Sequence, residues 1–412
     1  MINKNFYIKD HIHPKHLNNK IGKKLNVKIP AILQKIKYST KNSKNLLYQL
    51  NSKFKFNFKL NNLKRFRKFK KIVIIGMGGS ILGAEAIYNF LYHKIDKKVI
   101  FLDNINLKEV EHLKKKKDYK KTLFLVISKS GNTTETISNF ISLNIIKKNS
   151  KNIIVITEKK NNTLYELSKK FNLFFIEHKS FIGGRYSVLS EVGLVPAYLM
   201  GLNISKIRNN LLSLLKKKET VFFKNSCKII SNLLIQKKFN DLIFLNYSPK
   251  LEKFLYWCQQ LIAESLGKRK LGFTPIVSNA PKDHHSLLQL YLDGPKDKIF
   301  YIFDDLDKDS FEISTKGLSK KINFINKKGL NEIKSAQKNS IIKLLKNDNI
   351  PFREFYIKRI EESTIGKLFS YFILETILVG NLSGVNPFNQ PAVEEAKVIT
   401  KNILLKNSKK NF

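Results

Sequence analysis

The chain has 412 residues, which is enough to bury substantial cores and to form two domains of ordinary size. Its net charge of +44 would ordinarily suggest a nucleic-acid partner, but only seven of the 76 basic residues are arginines, and the lysines are dispersed among many Asn, Ile and Phe residues. We therefore predict a solvated lysine surface that speeds encounter with anionic substrates, and we expect no nucleic acid among the partners.

Three features bear on the cellular compartment. The two cysteines, Cys227 and Cys258, have neither metal-ligand spacing nor a disulfide framework, which favours a reducing environment. The N-terminus lacks the long apolar segment of a signal peptide. The apolar stretch 368–379 is short and contains Glu375, so it predicts a core helix and not a membrane span. We expect a cytoplasmic protein that does not bind a membrane.

The first glycine-rich turn follows a polar, helical extension over residues 1–65. The strand-like run 71–75 leads into residues 76–80 (GMGGS) and then a helical pattern. Glycines directly after a parallel strand let a ligand approach the backbone closely, although the spacing is not the G-x-G-x-x-G of dinucleotide sites. We predict that this turn joins the next one in holding a phosphate, with Ser80 as a candidate contact.

The second turn, residues 128–136 (SKSGNTTET), lies between a buried strand-like run, 123–127, and a helical pattern. Free N–H groups at a helix start, the helix dipole and small hydroxyls can together hold a phosphate. The alternative is that these residues only cap the helix. Five hydroxyl residues and Lys129 within nine positions exceed what one cap needs, so the pattern favours a phosphorylated substrate.

The next runs, 152–157 and 173–176, continue the alternation of strands and helices, which predicts a parallel sheet covered on both faces. After them comes the turn 183–187 (GGRYS). The planar guanidinium of Arg185 could stabilise an oxyanion there in a way that lysine cannot. An ordinary surface arginine in a loop fits the pattern equally well.

The second half begins with a strand-like run, 241–247, and an apolar helix that ends near Gly267. Gln260 and Glu264 are four residues apart and share one face of this helix. Burial would raise the pKa of Glu264 toward the range of a general base, roughly 6 to 7, and a nearby arginine would lower it. A surface pair of Glu264 with Lys268 is the alternative.

Paired histidines follow the strand-like run 274–277. We expect no metal at His284 and His285, because adjacent side chains diverge and no Cys or carboxylate cluster completes a site. His285 lies at a helix start and fits a proton-transfer role better. Further strand-like runs, 299–303 and 352–357, precede two terminal helices.

Six segments together resemble one family. The segments 76–80, 128–130, 183–187, 264–268 (ESLGK), the region of His285, and 390–397 match in order the motifs of glucose-6-phosphate isomerases, over about residues 70–400. The resemblance implies two flavodoxin-like sugar-isomerase (SIS) domains, each a mostly parallel β-sheet between helices, with helical extensions at both ends. The implied divisions are 1–65, 66–205, 206–385 and 386–412, and the implied assembly is a homodimer that shares its active sites.

The resemblance also implies roles for particular residues. It places the base at Glu264, the holder of the enediolate charge at Arg185, and ring opening at His285, from the partner subunit, and Lys397. Substrate contacts fall on Ser80, Ser128, Lys129, Ser130, Thr133, Glu135, Gly184, Gln260 and Gln390. Leu266 and Ala392 depart from the Asn and Gly that are usual in the family.

The expected reaction is the reversible conversion of glucose 6-phosphate into fructose 6-phosphate through a cis-enediol, in glycolysis and gluconeogenesis, without cofactor or metal. A positioned carboxylate can contribute about 10²–10⁴-fold to such proton transfer. An enzyme that also accepts mannose 6-phosphate is one alternative. A sugar-phosphate-sensing SIS protein is another, but the first 65 residues show no convincing helix-turn-helix reader.

Overall fold

A computed structural model of the chain describes residues 5–115, 118–307 and 311–410. Within these residues the chain forms two five-stranded sheets with helices packed against them. The first sheet is parallel throughout, and the second is parallel except at one edge. The predicted fold class, α/β with two mostly parallel sheets, is confirmed.

The N-terminal region contains a strand that the sequence interpretation missed. Strand β1 (Phe6–His11) pairs antiparallel with a strand late in the chain. Its residues Phe6 and Ile8 are buried, but two apolar positions among charged neighbours are too weak a pattern to predict a strand. The helices that follow are α1 (Asn19–Ser39) and α2 (Leu60–Lys64).

The first sheet has the strand order β3-β2-β4-β5-β6, which is the 2-1-3-4-5 order of flavodoxin-like folds. Its strands are β2 (Lys71–Ile75), β3 (Lys98–Leu102), β4 (Thr122–Ile127), β5 (Ile153–Thr157) and β6 (Phe174–Glu177). The helices interleaved with and following them are α3 (Leu82–Phe90), α4 (Leu107–Lys115), α5 (Thr134–Ser142), α6 (Thr163–Lys170) and α7 (Glu191–Leu199). Every residue of β4 is buried, as expected for a central strand covered on both faces.

The second sheet has the order β1-β10-β9-β7-β8. Its later strands are β7 (Asp241–Asn246), β8 (Thr274–Asn279), β9 (Lys298–Asp305) and β10 (Phe352–Ile357). The remaining helices are α8 (Ile204–Ile207), α9 (Lys217–Gln236), α10 (Glu252–Leu266), α11 (Leu288–Asp293), α12 (Leu330–Asn347), α13 (Glu362–Leu382) and α14 (Glu394–Lys410). Helix α10 packs against α3, and this contact brings residues from both halves of the chain to one place.

Helix α13 is an internal helix. It is long and apolar enough to cross a membrane by length and composition alone, but 89% of its most apolar 18-residue window is buried inside the protein. Its aromatic residues Phe369 and Phe372 pack against Phe254 of α10. Protein contacts therefore account for the apolar composition of this helix.

A buried arginine joins the N-terminal strand to the second sheet. Arg353 of β10 is fully buried and donates to Asp10 of β1 at 2.7 Å and to Glu375 of α13 at 2.9 Å. It also donates to the hydroxyls of Ser226 and Tyr371. A buried charge is tolerated only when its donors are satisfied in this way. The network therefore fixes β1, β10, α9 and α13 together.

Helix α14 is exposed along its described side chains. Its apolar residues Val398, Ile399 and Ile403 are 59%, 51% and 53% exposed. Side chains of this type on a soluble protein surface commonly mark a contact with another molecule.

Candidate active site

The two polar turns of the first sheet start from paired strands. Strands β2 and β4 are neighbours, with Ile75 opposite Val126, and they leave the sheet at the same edge. The chain order reverses between these strands, and ligands of open α/β sheets bind at such a point. The predicted convergence of residues 76–80 and 128–136 therefore has a structural basis in strand pairing.

Three hydroxyls of the second turn form a cluster. The Oγ of Ser128 lies 2.9 Å from the Oγ1 of Thr133 and 3.5 Å from the Oγ of Ser130. The N–H of Gly131 donates to Ser128 at 3.2 Å. Thr133 directly precedes α5 but makes no side-chain capping bond. Helix capping therefore does not account for the Thr133 hydroxyl, and the small polar groups of the cluster suit an anion.

Three other predicted substrate contacts lie near this edge of the first sheet. Ser80 ends the first turn and is 9% exposed, and Glu135 lies in the first turn of α5. Lys129 forms an ion pair with the buried Glu158 at 3.6 Å. Burial lowers the pKa of the Lys129 amine, and Glu158 opposes that shift. A bound phosphate would have to compete with Glu158 for this lysine.

The first turn touches the arginine turn through two glycines. A Cβ atom added to Gly79 would lie 2.2 Å from the carbonyl carbon of Gly184 and 2.5 Å from the backbone nitrogen of Arg185. The Oγ of Ser187 also donates to the carbonyl of Gly79 at 3.3 Å. Only a residue without Cβ permits this approach of the two backbones.

We expect Gly79→Ala to lower the free energy of unfolding by about 1–3 kcal/mol, because the added methyl group would force two backbone segments apart. Urea unfolding measures the change. The matched control is Gly22→Ala, where the nearest atom to the new methyl would be 3.6 Å away. Equal stabilities of the two variants would contradict the close approach at Gly79.

Arg185 links the first half of the chain to the second. It is 3% exposed, and its N–H groups donate to five acceptors from two segments of the second half. The acceptors are Ser265 Oγ (2.8 Å), Glu264 Oε2 (3.2 Å), Gln390 Oε1 (2.7 Å), the carbonyl of Pro387 (2.7 Å) and the carbonyl of Asn389 (3.2 Å). An ordinary surface arginine, the alternative at the sequence level, is excluded by this burial.

Glu264 lies near the C-terminal end of α10 with its carboxylate held on both sides. Arg185 contacts Oε2, and the Nε2 of Gln260 donates to Oε1 at 3.0 Å. The side chain remains 32% exposed. Lys268 does not form the surface pair considered from sequence; its amine donates to the carbonyls of Ser265 and Asn386. The carboxylate is therefore both oriented and accessible.

Two cavities include Glu264 in their lining. One, of about 630 Å³, follows α10 and is also lined by Glu85, Asp103 and Gln260. The other, of about 1120 Å³, is also lined by Lys268 and Gln390. Burial lowers the pKa of Lys268 to about 8, with a further lowering by Arg185. A small polar ligand can thus reach the carboxylate.

Comparisons with known proteins show the family of this chain. The family model described as phosphoglucose isomerase matches residues 61–272, the segment that contains both polar turns, Arg185 and Glu264. A protein from Methanocaldococcus jannaschii named glucose-6-phosphate isomerase is 35% identical over 356 residues, which are 82% of this chain and 86% of that protein. The chain belongs to the phosphoglucose isomerase family.

A second relative supports the assignment to the phosphoglucose isomerase family, and a solved structure shows the same fold. A protein from Methanococcus maripaludis, named probable glucose-6-phosphate isomerase, is 33% identical over 373 residues, or 85% of this chain and 84% of that protein. The crystal structure of a hypothetical protein from Thermus thermophilus has the same fold. It superposes with a TM-score of 0.81 at 22% identity and covers 96% of this chain and 100% of that one. The family resemblance deduced from the six motifs is confirmed.

His285 and Lys397 lie apart from the cavities of this phosphoglucose isomerase family member. His285 is exposed in a single turn of 3₁₀-helix after β8, next to His284, which bonds to the hydroxyl of Tyr247 at 2.8 Å. Lys397 is exposed on α14 and pairs with Glu394 at 2.7 Å. Among the described residues, neither side chain lines the cavities at Glu264.

Several features of this family member's site had no signal in the sequence. Pro387 and Asn389 act through backbone carbonyls, which carry no sequence information. The sequence places Tyr186 and Ser265 within two of the motifs but does not indicate that their hydroxyls bond to each other, as they do at 2.9 Å beside Arg185. In the part of the chain that the structure describes, no group of three or more His, Cys, Asp or Glu residues is arranged to hold a metal ion.

A buried carboxyl group faces the smaller cavity. Glu85 of α3 is 3% exposed, and its Oε2 has no hydrogen-bond partner among the residues described here. Burial raises the pKa of Glu85 from 4.5 to about 7; Lys253 opposes the rise and Asp103 adds to it. The folded chain therefore binds more protons than the unfolded chain between these pH values.

The stability of the protein should reflect this titration. The stabilisation that Glu85 gives the folded state is fully present below pH 4.5 and is lost as the pH rises to about 7. The free energy of unfolding falls over this range at a rate of at most about 1.4 kcal/mol per pH unit. We expect Glu85→Gln to remove this loss, so its stability relative to wild type is higher at pH 8 than at pH 5. Urea unfolding of both proteins at both pH values is the measurement. If the free energies of unfolding of variant and wild type differ by the same amount at pH 5 and at pH 8, the raised pKa of Glu85 is contradicted.

Proposed function

We propose that the chain interconverts glucose 6-phosphate and fructose 6-phosphate. The observation that carries the proposal is the carboxylate of Glu264, held between Arg185 and Gln260 and open to a cavity. An aldose and a ketose differ by the position of two protons, since one moves from C2 to C1 and the other from O2 to O1. An oriented carboxylate is suited to the transfer between the carbons. Relatives named glucose-6-phosphate isomerase match more than four fifths of the chain.

In the proposed reaction, Glu264 removes the proton from C2 of the open-chain aldose and returns it to C1, while the hydroxyl proton on O2 passes to O1. The negative charge then moves from the carboxylate to the enediolate. Arg185 stays beside both positions, so its positive charge stabilises the charge that develops on the substrate.

The substrate phosphate would bind at the hydroxyl cluster of the second turn. Ser128, Ser130 and Thr133 supply this cluster, and Ser80 and Lys129 would complete the contacts. Binding the phosphate away from the reacting carbons fixes the sugar's orientation and lowers the barrier through remote binding energy. Glu135, Gly184 and Gln390 are the further residues proposed to line the sugar.

Opening of the sugar ring is assigned to His285 and Lys397. Because His285 is exposed and away from the described cavities, we propose that it acts in the site of a second subunit. The exposed apolar side chains of α14 support a homodimer, since association would remove them from water. A mass of twice 47.8 kDa in solution, measured by light scattering, is the expected result. A monomer that is fully active would contradict this part of the proposal.

We propose division of the chain into 1–65, 66–205, 206–385 and 386–412, with β1 of the first segment completing the sheet of the third. We propose a cytoplasmic enzyme of glycolysis and gluconeogenesis that requires neither metal nor cofactor.

A coupled assay tests the function. Fructose 6-phosphate is supplied, and glucose 6-phosphate is detected through its dehydrogenase. In one arm the isomerase is first treated with EDTA and then desalted, and in the other arm it is left untreated. We expect conversion at the same rate in both arms. Conversion of mannose 6-phosphate in a parallel reaction would indicate the broader alternative specificity, and absence of conversion of fructose 6-phosphate would refute the proposal.

A further inference from the structure

Two pairs of neighbouring residues face each other across the proposed active site. Arg185 and Tyr186 belong to the 3₁₀-helix Gly184–Leu189, and Glu264 and Ser265 belong to α10. The first residues of the pairs form the ion pair, and the second residues bond through their hydroxyls at 2.9 Å. The contact between the two elements is thus made twice, once by charges and once by hydroxyl groups.

The hydroxyl groups belong to a closed ring of hydrogen bonds. The Nε–H of Arg185 donates to Ser265 Oγ at 2.8 Å, and the hydroxyl of Tyr186 donates to the carbonyl of Pro387 at 2.8 Å. That same carbonyl accepts from Nη2 of Arg185 at 2.7 Å. All four contacts are satisfied together only when Ser265 donates its proton to Tyr186, so the proton arrangement of the ring is fixed.

Burial keeps this ring intact. Tyr186 and Ser265 are both fully buried, so water cannot replace a missing partner. Burial also raises the pKa of the Tyr186 hydroxyl, which therefore remains a proton donor to the Pro387 carbonyl. Loss of either hydroxyl would leave a buried polar group without its partner.

The ring determines where the guanidinium points. With Nε and Nη2 bonded to Ser265 and to the backbone carbonyls, Nη1 is left facing Glu264 at 3.2 Å and Gln390 at 2.7 Å. A guanidinium has five N–H groups, and here each has an acceptor within the protein. Arg185 can therefore stabilise the reaction through its charge and its bond to Glu264, and its exact placement decides how effective it is.

We infer that Tyr186 and Ser265 are positioning residues that act on the proposed base, Glu264, by fixing the guanidinium of Arg185. The inference rests on the proposed isomerase function. It predicts a defect in turnover and not in substrate binding, because the hydroxyl turn proposed to hold the phosphate belongs to another segment of the chain.

A double-mutant cycle tests the inference. In the coupled assay, Tyr186→Phe and Ser265→Ala should each lower kcat by about tenfold or more, while KM for fructose 6-phosphate stays within about threefold. Since both act through Arg185, the double variant should lose little more than the worse single variant. Losses that multiply, an unchanged kcat, or a raised KM with normal kcat would overturn the inference.

The matched control is Ser231→Ala. It removes another fully buried serine hydroxyl that bonds to a carbonyl, that of Cys227 at 2.8 Å in α9. We expect this variant to lose stability and to keep its kcat. A fall in its kcat equal to that of Ser265→Ala would show that loss of buried hydroxyls in general, and not the ring, causes the defect.

A measurement without catalysis separates this inference from the proposed function. With only seven arginines in the chain, the Nε–H signal of Arg185 can be assigned in a ¹⁵N spectrum by its absence in Arg185→Lys. Its exchange with water should be slow in the wild type and clearly faster in Tyr186→Phe and Ser265→Ala. Unchanged exchange overturns the inference, whereas an inactive wild type with accelerated exchange in the variants overturns only the isomerase proposal.

Discussion

Glu264→Gln should reduce kcat for fructose 6-phosphate by about 10²–10⁴-fold, because the amide cannot accept the proton that the carboxylate removes from carbon. The amide oxygen can still accept a hydrogen bond from Arg185, so the arginine keeps a partner and the fold should persist. KM should change little, since the proposed phosphate contacts lie on other elements. The coupled assay under saturating and limiting substrate separates the two constants.

The control for this variant is Glu166→Gln, which changes an exposed carboxylate on α6 in the same way. It should keep its kcat within experimental error. Turnover of Glu264→Gln within about threefold of the wild type would contradict the assignment of Glu264 as the base.

Arg353→Met should lower the free energy of unfolding by about 3–5 kcal/mol, because it leaves the buried carboxylate of Glu375 without its cation. Chemical denaturation monitored by tryptophan fluorescence gives the change; Trp257 is the reporter and is buried in α10. The expected loss is large compared with the total stability of a typical protein, so partial unfolding at ambient temperature is part of the expectation.

A double variant separates the buried charge from the packing. Arg353→Met combined with Glu375→Leu removes the buried pair of charges and leaves only Asp10, whose side chain is 14% exposed. We expect it to recover a large part of the lost stability. The exposed Arg359→Met controls for the change of residue type and should be nearly neutral. If the double variant is less stable than Arg353→Met alone, the carboxylate is not the source of the defect.

The central strands could be predicted from the sequence because the pattern that identifies them lies within a few consecutive residues. Buried parallel strands such as β4 and β5 are continuous apolar runs bounded by polar turns. This pattern can be recognised without knowing the rest of the chain. The hydroxyl turn was recognisable for the same reason. By contrast, β1 forms by pairing with β10 at the edge of the second sheet, and its six residues carry no comparable pattern.

The site was only partly predictable. Glu264 and Gln260 could be paired from helical spacing, but the partner of the carboxylate, Arg185, lies 79 residues away in the chain. Such a contact depends on the packing of α10 against the first half of the molecule and not on any local rule. The ring through Tyr186 and the Pro387 carbonyl is even harder to predict from the sequence, since one of its members is a backbone oxygen.

The pairing of β1 with β10 imposes an order on folding during synthesis. The first sheet uses only residues 71–177 and can form while the ribosome is still translating the second half. Phe6, however, must wait for Ile357, 351 residues later (357 − 6), before its strand has a neighbour. Residues 6–11 therefore lack their partner strand during most of translation, and because so long a loop must close, we expect β1 to pair with β10 late in folding.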